Sequence, residues 1–155
     1  IELKNQNVFL DTSKDWQIAP NFLSSSLTLF GPFQDERRPI IMLTESSIND
    51  YVLDIKVEKK NLKTFRDGRK SWMKKNKASL LKFYPYKVES WKNIKNVHST
   101  GLEYKMLDVH YLERHYYLKC NSELFHLSTL KTKKQHDKYS NEIKRILSSL
   151  RCSSK

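Results

Sequence analysis

From Arg114 to Leu130 the chain reads RHYYLKCNSELFHLSTL. Side-chain character alternates at every second residue up to Cys120, breaks at Asn121-Ser122, and then alternates again. Such alternation belongs to strands with one covered face, and Asn-Ser is a turn pair. No other stretch is as restrictive, because pairing about this turn assigns a face to every side chain on both strands. Cys120 then lies opposite Glu123, Leu118 opposite Phe125, and Tyr116 opposite Leu127. Leu112, Tyr116, Leu118 and Cys120 share one face, marred by Arg114, while Glu113, His115, Tyr117 and Lys119 share the other. The reading gives three successive strands, near 102–109, 112–120 and 123–131. A helix from about His136 to Leu150 follows, with Tyr139, Ile143, Ile146, Leu147 and Leu150 as the stripe that packs on a sheet.

This unit bears on the two cysteines. The strand after the turn carries the chain away from Cys120, and the helix brings it back. Roughly 15 helical residues cover about 22 Å, against about 30 Å for a nine-residue strand. The residues after Leu150 therefore return to the level of Cys120, and a Cys120–Cys152 disulfide is the leading expectation. A disulfide implies an oxidising compartment. Two buried free thiols remain the main alternative. A metal site or a nucleophile is the weakest reading: His115 and His126 face away from Cys120, and no Gly-rich elbow surrounds it.

Upstream, NVFLDTSKDWQIAP reads as a short strand and a turn carrying Trp16. SSSLTLFGPF and RRPIIMLTES form a strand pair joined by a polar QDERR loop, with Pro39 at a strand start where no ladder donor is missed. NDYVLDIKVEKK is ambiguous. NLKTFRDGRKSWMKKNK fits a helix capped by Asn61, with Leu62, Phe65, Arg69, Trp72 and Met73 on one face and Gly68 weakening it. ASLLKFYPY reads as a strand, and KVESWKNIKNVHSTG as an irregular connection in which Trp91 covers a core edge. A chain of 155 residues fits one domain with a proper core. The class is α+β: an antiparallel sheet flanked by helices, the last helix packed on the sheet.

Three features in order, ERHYYLKC, ELFHLSTL and a terminal helix ending IKRILSSLRC, follow an early KDWQIAP, RPIIMLTES and an FRDGRKSWM helix. Together they resemble the PsbP-like superfamily, with its Mog and DcrB-type members. The resemblance implies an α/β/α sandwich with an antiparallel sheet, and a binding or assembly role without chemistry. It is a pattern of elements, so it transfers no functional residue.

A search for chemistry in the residues themselves yields little. The three glycines, Gly31, Gly68 and Gly101, lie far apart and form no phosphate loop, and HExxH, CxxC and GxSxG are absent. His110, His115 and Asp108 are the enzymatic candidates, for a small hydrolase or metal-dependent enzyme, and Asp108, Glu113 and His115 could form an acid–base group, with an ordinary polar strand face as the favoured reading. On a continuous strand the two histidines face opposite ways. No metal or cofactor is expected.

The net charge of +12 points instead to an anionic partner. Lysines and arginines crowd residues 56–77, with Lys56, Lys59, Lys60 and Lys63 leading into the proposed binding face: Arg66, Arg69, Lys70, Lys74, Lys75 and Lys77. A second cluster, LKTKKQHDK, opens the last helix, where the dipole prefers anions. A lysine-rich solvated surface is the bland counterpart of this reading. No nucleic-acid module is evident, which disfavours nucleic acid. No run of residues reaches membrane-spanning length. The expectation is a non-enzymatic binding or assembly protein, periplasmic or extracellular, meeting a protein or an anionic envelope component. The sequence begins at Ile1 rather than methionine, so export would require a leader preceding it. A cytosolic DcrB-like adaptor is the alternative.

Overall fold

The hairpin turning at Asn121 organises the computed structural model, which describes residues 2–3, 6–45, 55–121 and 123–154. The N-terminal strands are β1 (Glu2–Leu3), β2 (Gln6–Phe9), β3 (Gln17–Pro20), β4 (Leu27–Phe30) and β5 (Ile40–Glu45). Helix α1 (Ile55–Lys75) precedes β6 (Ser79–Glu89), β7 (Val97–Met106), β8 (Val109–Cys120) and β9 (Glu123–Thr132). Helix α2 (Lys133–Ser148) and β10 (Arg151–Ser154) complete the chain. Among the described residues, seven strands form an antiparallel sheet in the order β3-β4-β5-β9-β8-β7-β6, and three form a small one, β1-β2-β10.

The expected register is the observed one: Cys120 pairs with Glu123, Leu118 with Phe125 and Tyr116 with Leu127. Ser122 of the turn lies outside the described residues. The face bearing Cys120 packs on α2. Leu29, Ile41, Leu43, Leu118, Phe125 and Leu127 meet Tyr139, Ile143, Ile146, Leu147 and Leu150 in the main core. The opposite face packs on α1, where Met73, Leu102 and Tyr104 are buried, with Phe65, Trp72, Phe83, Met106, Tyr111 and Leu130 around them. The sheet is thus sandwiched between two helices, as expected.

Several boundaries differ from the sequence reading, each for a physical reason. The β7–β8 turn is Leu107-Asp108, three residues earlier than expected, and both have positive φ, 49° and 60°. Asn-Gly would be the usual pair for such a turn, and Leu-Asp gives no such signal. Helix α1 starts at Ile55, so Asn61 lies within it and caps nothing. The ambiguous segment is helical from residue 55 onward; its earlier part, and the side chains of Lys56, Lys59 and Lys60, lie outside the described residues. Instead of an irregular connection, residues 87–89 end β6 and residues 97–101 open β7, with the loop confined to 90–96. The register of β6 against β7 is broken between Leu80 and Lys82 and between Tyr84 and Lys87, which blurs the alternation.

Helix α2 begins at Lys133 rather than His136. Thr132 and Gln135 form a reciprocal capping box that satisfies two N-terminal donors without an acid in the first turn. The chain leaving α2 forms β10, which pairs with β2 so that Cys152 lies opposite Val8. Cys152 is disulfide-bonded to Cys120, with Cα atoms 5.8 Å apart. The bridge therefore joins the main sheet to the small one.

Two outcomes follow. Replacing Leu107 with Asn and Asp108 with Gly relieves two strained positions and should raise stability by about 1 kcal/mol; a urea midpoint unchanged or lowered would contradict the turn assignment. Replacing Cys120 and Cys152 together with alanine opens a closure of 32 residues and should cost about 3 to 4 kcal/mol on the chain-entropy model, read from the same titration.

Candidate functional site

The basic side of α1 is the site proposed from the sequence, and the structure divides it. Lys70, Lys74, Lys75 and Lys77 are exposed. Lys74 and Lys75 occupy the last helical turn, where cations suit the dipole. Lys77 lies just past the helix with φ 53°, so it does not extend the helical row. Arg66 lies across β6, donating to the Tyr84 carbonyl at 3.3 Å with its guanidinium over the Phe83 ring. Arg69 belongs to the interior: Nη2 donates to Glu113 Oε2 at 2.6 Å, and the guanidinium covers Trp72. Arg69 is spaced with Phe65, Trp72 and Met73, so its place on the sheet-facing side was readable from the sequence.

Beneath α1, the Arg69–Glu113 pair ends a chain of hydrogen bonds. His115 Nε2 lies 2.6 Å from Glu113 Oε1, and His115 Nδ1 lies 2.8 Å from His126 Nε2. With both rings neutral, His126 donates to His115 and His115 donates to Glu113. Phe65 packs edge-on against His115, and Tyr117 stacks on His126. Burial, with repulsion from His115, pulls the His126 pKa down to about 3. This relay resembles acid–base machinery, but α1 and the two aromatic rings cover it and its polar atoms bond to one another.

The enzymatic candidates do not converge. His110 lies on the α2 face of β8, where it donates to Glu103 Oε2 at 2.6 Å. His115 lies on the α1 face, and Asp108 sits exposed in the turn. Five positions along one unbroken strand place the two histidines on opposite sides. Among the described residues, no group of three His, Cys, Asp or Glu side chains is placed to hold a metal ion.

The α2 face carries a second polar centre that the sequence reading did not single out. Glu103 is buried at 8% exposure. It accepts from Tyr84 and His110 and pairs with Lys82 Nζ at 3.0 Å. Burial alone would raise its pKa, yet the bonds from Tyr84, Lys82 and His110 outweigh this and hold it at about 2. Beside it, a cleft of about 610 Å³ opens between α2 and the sheet. Arg114, Tyr116 and Lys131 line the sheet side, His136 and Lys144 the helix side, and Trp91 the rim. The signals were present: Arg114 interrupts the apolar face of β8, and Lys131 is in phase with Phe125 and Leu127.

No family model matches the chain, and no curated protein matches it by sequence. Among solved structures the chain is similar to LpqN of Mycobacterium tuberculosis, a protein involved in cell envelope biogenesis, with 11% identity and a TM-score of 0.60. That match covers 96% of this chain and 84% of LpqN. The solution structure of CyanoP, the cyanobacterial PsbP of Synechocystis sp. PCC 6803, matches with 12% identity and a TM-score of 0.48, covering 99% of this chain and 95% of that one. At such identities the likeness to LpqN is one of fold alone.

The relay predicts acid sensitivity. The folded His126 pKa of about 3 lies below the ordinary value of 6.5. Its contribution is therefore complete above pH 6.5 and is lost as pH falls toward 3, by up to about 1.4 kcal/mol per pH unit. His126→Gln keeps a donor for His115 and should flatten the stability profile between about pH 6.5 and 4.5, with little change at pH 7.5. Urea midpoints across pH check this; parallel profiles for the two proteins would remove His126 as the source.

Proposed function

We propose that this chain is a non-enzymatic binding or assembly protein of an extracytoplasmic envelope compartment, periplasmic or extracellular. It presents the exposed basic side of α1 to an anionic partner. The observation that carries the compartment is the Cys120–Cys152 disulfide, with Cys120 at 2% exposure in the main core. A disulfide persists in an oxidising compartment and is rare in a reducing cytosol. The likeness to LpqN, a protein of envelope biogenesis, supports the same setting.

The α1 surface supports the binding role. Lys70 and Lys74 are exposed along one edge of the helix, with Lys70 Nζ 6.0 Å from the Phe83 ring, and Arg66 stands beside them, partly laid on β6. Lys63 is paired with Asp67 at 2.5 Å and Arg69 with Glu113, so among the described side chains of the helix the remaining positive charge lies toward its C-terminal half. Like charges four apart on a helix repel by a few tenths of a kcal/mol. An anionic partner relieves that repulsion and gives association that weakens with salt.

Chain isolated from its native source with its thiols trapped should show no free thiol when unfolded without reductant. Two free thiols per chain would favour a cytosolic adaptor instead. Arg66→Glu, Lys70→Glu and Lys74→Glu together should leave melting within about 1 kcal/mol of the parent and abolish salt-sensitive recovery of the partner from envelope extract. Unchanged recovery with an intact fold would make the row merely solvated surface.

A further inference from the structure

We infer that the cleft between α2 and the sheet binds a phosphomonoester, at a site on the opposite side of the sheet from the basic row of α1. Lys131 carries the argument. It is only 7% exposed, it lines the cleft, and its ammonium makes no hydrogen bond or ion pair with any described residue. A buried cation is ordinarily paired, because desolvation without a partner is costly. Arg114 lies in register two strands from Tyr84, through Gly101, and its guanidinium rests over the Tyr84 ring at 3.5 Å. That position depends on Gly101: a Cβ there would come within 2.9 Å of Arg114 Cδ and 2.3 Å of the Glu113 carbonyl oxygen. Arg114 likewise makes no hydrogen bond or ion pair. The third group is His136, whose Nδ1 is buried without a hydrogen-bond partner. Nearby acids do not compensate: Glu103 is engaged by Tyr84, Lys82 and His110, and Glu89 accepts from the Trp91 indole at the rim.

Three nitrogen groups without a hydrogen-bond or ion-pair partner, two of them cationic, thus line one cleft. A phosphomonoester has three terminal oxygens and close to two negative charges, and so meets both the donor number and the charge. A carboxylate meets neither in full. The fork of Arg114 suits phosphate geometry. The volume lies within the range of small-molecule pockets and exceeds the needs of a bare anion. Trp91 and Tyr116, packed edge to face on each other, add aromatic surface to the lining for an organic substituent. In support, burial with repulsion from Arg114 brings the Lys131 pKa down to about 8, as befits an ammonium without a counter-ion.

The test is calorimetric titration at low salt with glucose 1-phosphate, inorganic phosphate and glucose, and with phosphatidylcholine vesicles carrying phosphatidic acid. Glucose 1-phosphate should bind saturably and glucose should not. Lys131→Met and Arg114→Met should each weaken binding by about tenfold or more, the loss of one charge-assisted hydrogen bond. Lys131→Met should melt no lower than the parent, since methionine replaces an unpaired buried charge, so its loss of binding reads on the site and not on the fold. The α1 triple-glutamate protein should bind glucose 1-phosphate like the parent, which separates this site from the α1 surface. Lys131-dependent binding to the vesicles but not to glucose 1-phosphate would assign the phosphate to a lipid headgroup and still support the site. No binding to either, or undiminished binding by both methionine variants, would overturn it.

Discussion

Everything in this fold depends on the pairing of β8 with β9 over ten consecutive positions. Side chains on a strand alternate with a period of two, so a slip of one residue would exchange the two faces completely. The observed register sends Leu118, Phe125 and Leu127 toward α2 and Glu113, His115 and His126 toward α1. The same pairing carries Arg114 and Lys131 to the side where the core is apolar. The cleft is therefore a consequence of register: two long cations reach the α2 side because their strand positions leave them no other.

The two faces solve different packing problems. Against α2 the sheet offers mainly aliphatic side chains, and α2 answers with a stripe of Tyr139, Ile143, Ile146 and Leu147. Against α1 it offers rings and polar groups, and α1 answers with Phe65, Trp72 and the guanidinium of Arg69. Arg69, Glu113, His115 and His126 form a connected chain of bonds, so most of the polar atoms buried there keep partners, Arg69 Nε being left without one. At the far end of the β8–β9 hairpin, Cys120 and Cys152 connect the main sheet to the strand pair formed by the two ends of the chain.

How much of this was legible depended on how far local signals reach. The hairpin register, the α2 stripe, the β4–β5 pair and the cysteine pairing all follow from period, turn chemistry and length. The α2 boundary was also legible, since Thr132 and Gln135 spell a capping box, although the flanking lysines obscured it. The Leu107-Asp108 turn was not, because its residues are poor formers of the conformation they adopt. β10 was not either: a four-residue strand carries too little periodicity, and its partner β2 lies over 140 positions away. On α1, spacing had already placed Arg69 on the inward face; charge alone would have placed it outside. The cleft required three dimensions, since Arg114, Lys131 and His136 come from two strands and a helix.

The edges of the main sheet bear on how other molecules can meet it. β6 closes one side and is broken twice in register, with Pro85, which has no N–H, inside the second break and Lys82 and Lys87 along its length. β3 closes the other side with four residues ending in Pro20. Neither border offers a long, flat row of backbone donors and acceptors, so a foreign strand finds no template to extend. The molecule is guarded against end-to-end polymerisation through its sheet, and recognition is left to side chains on its faces.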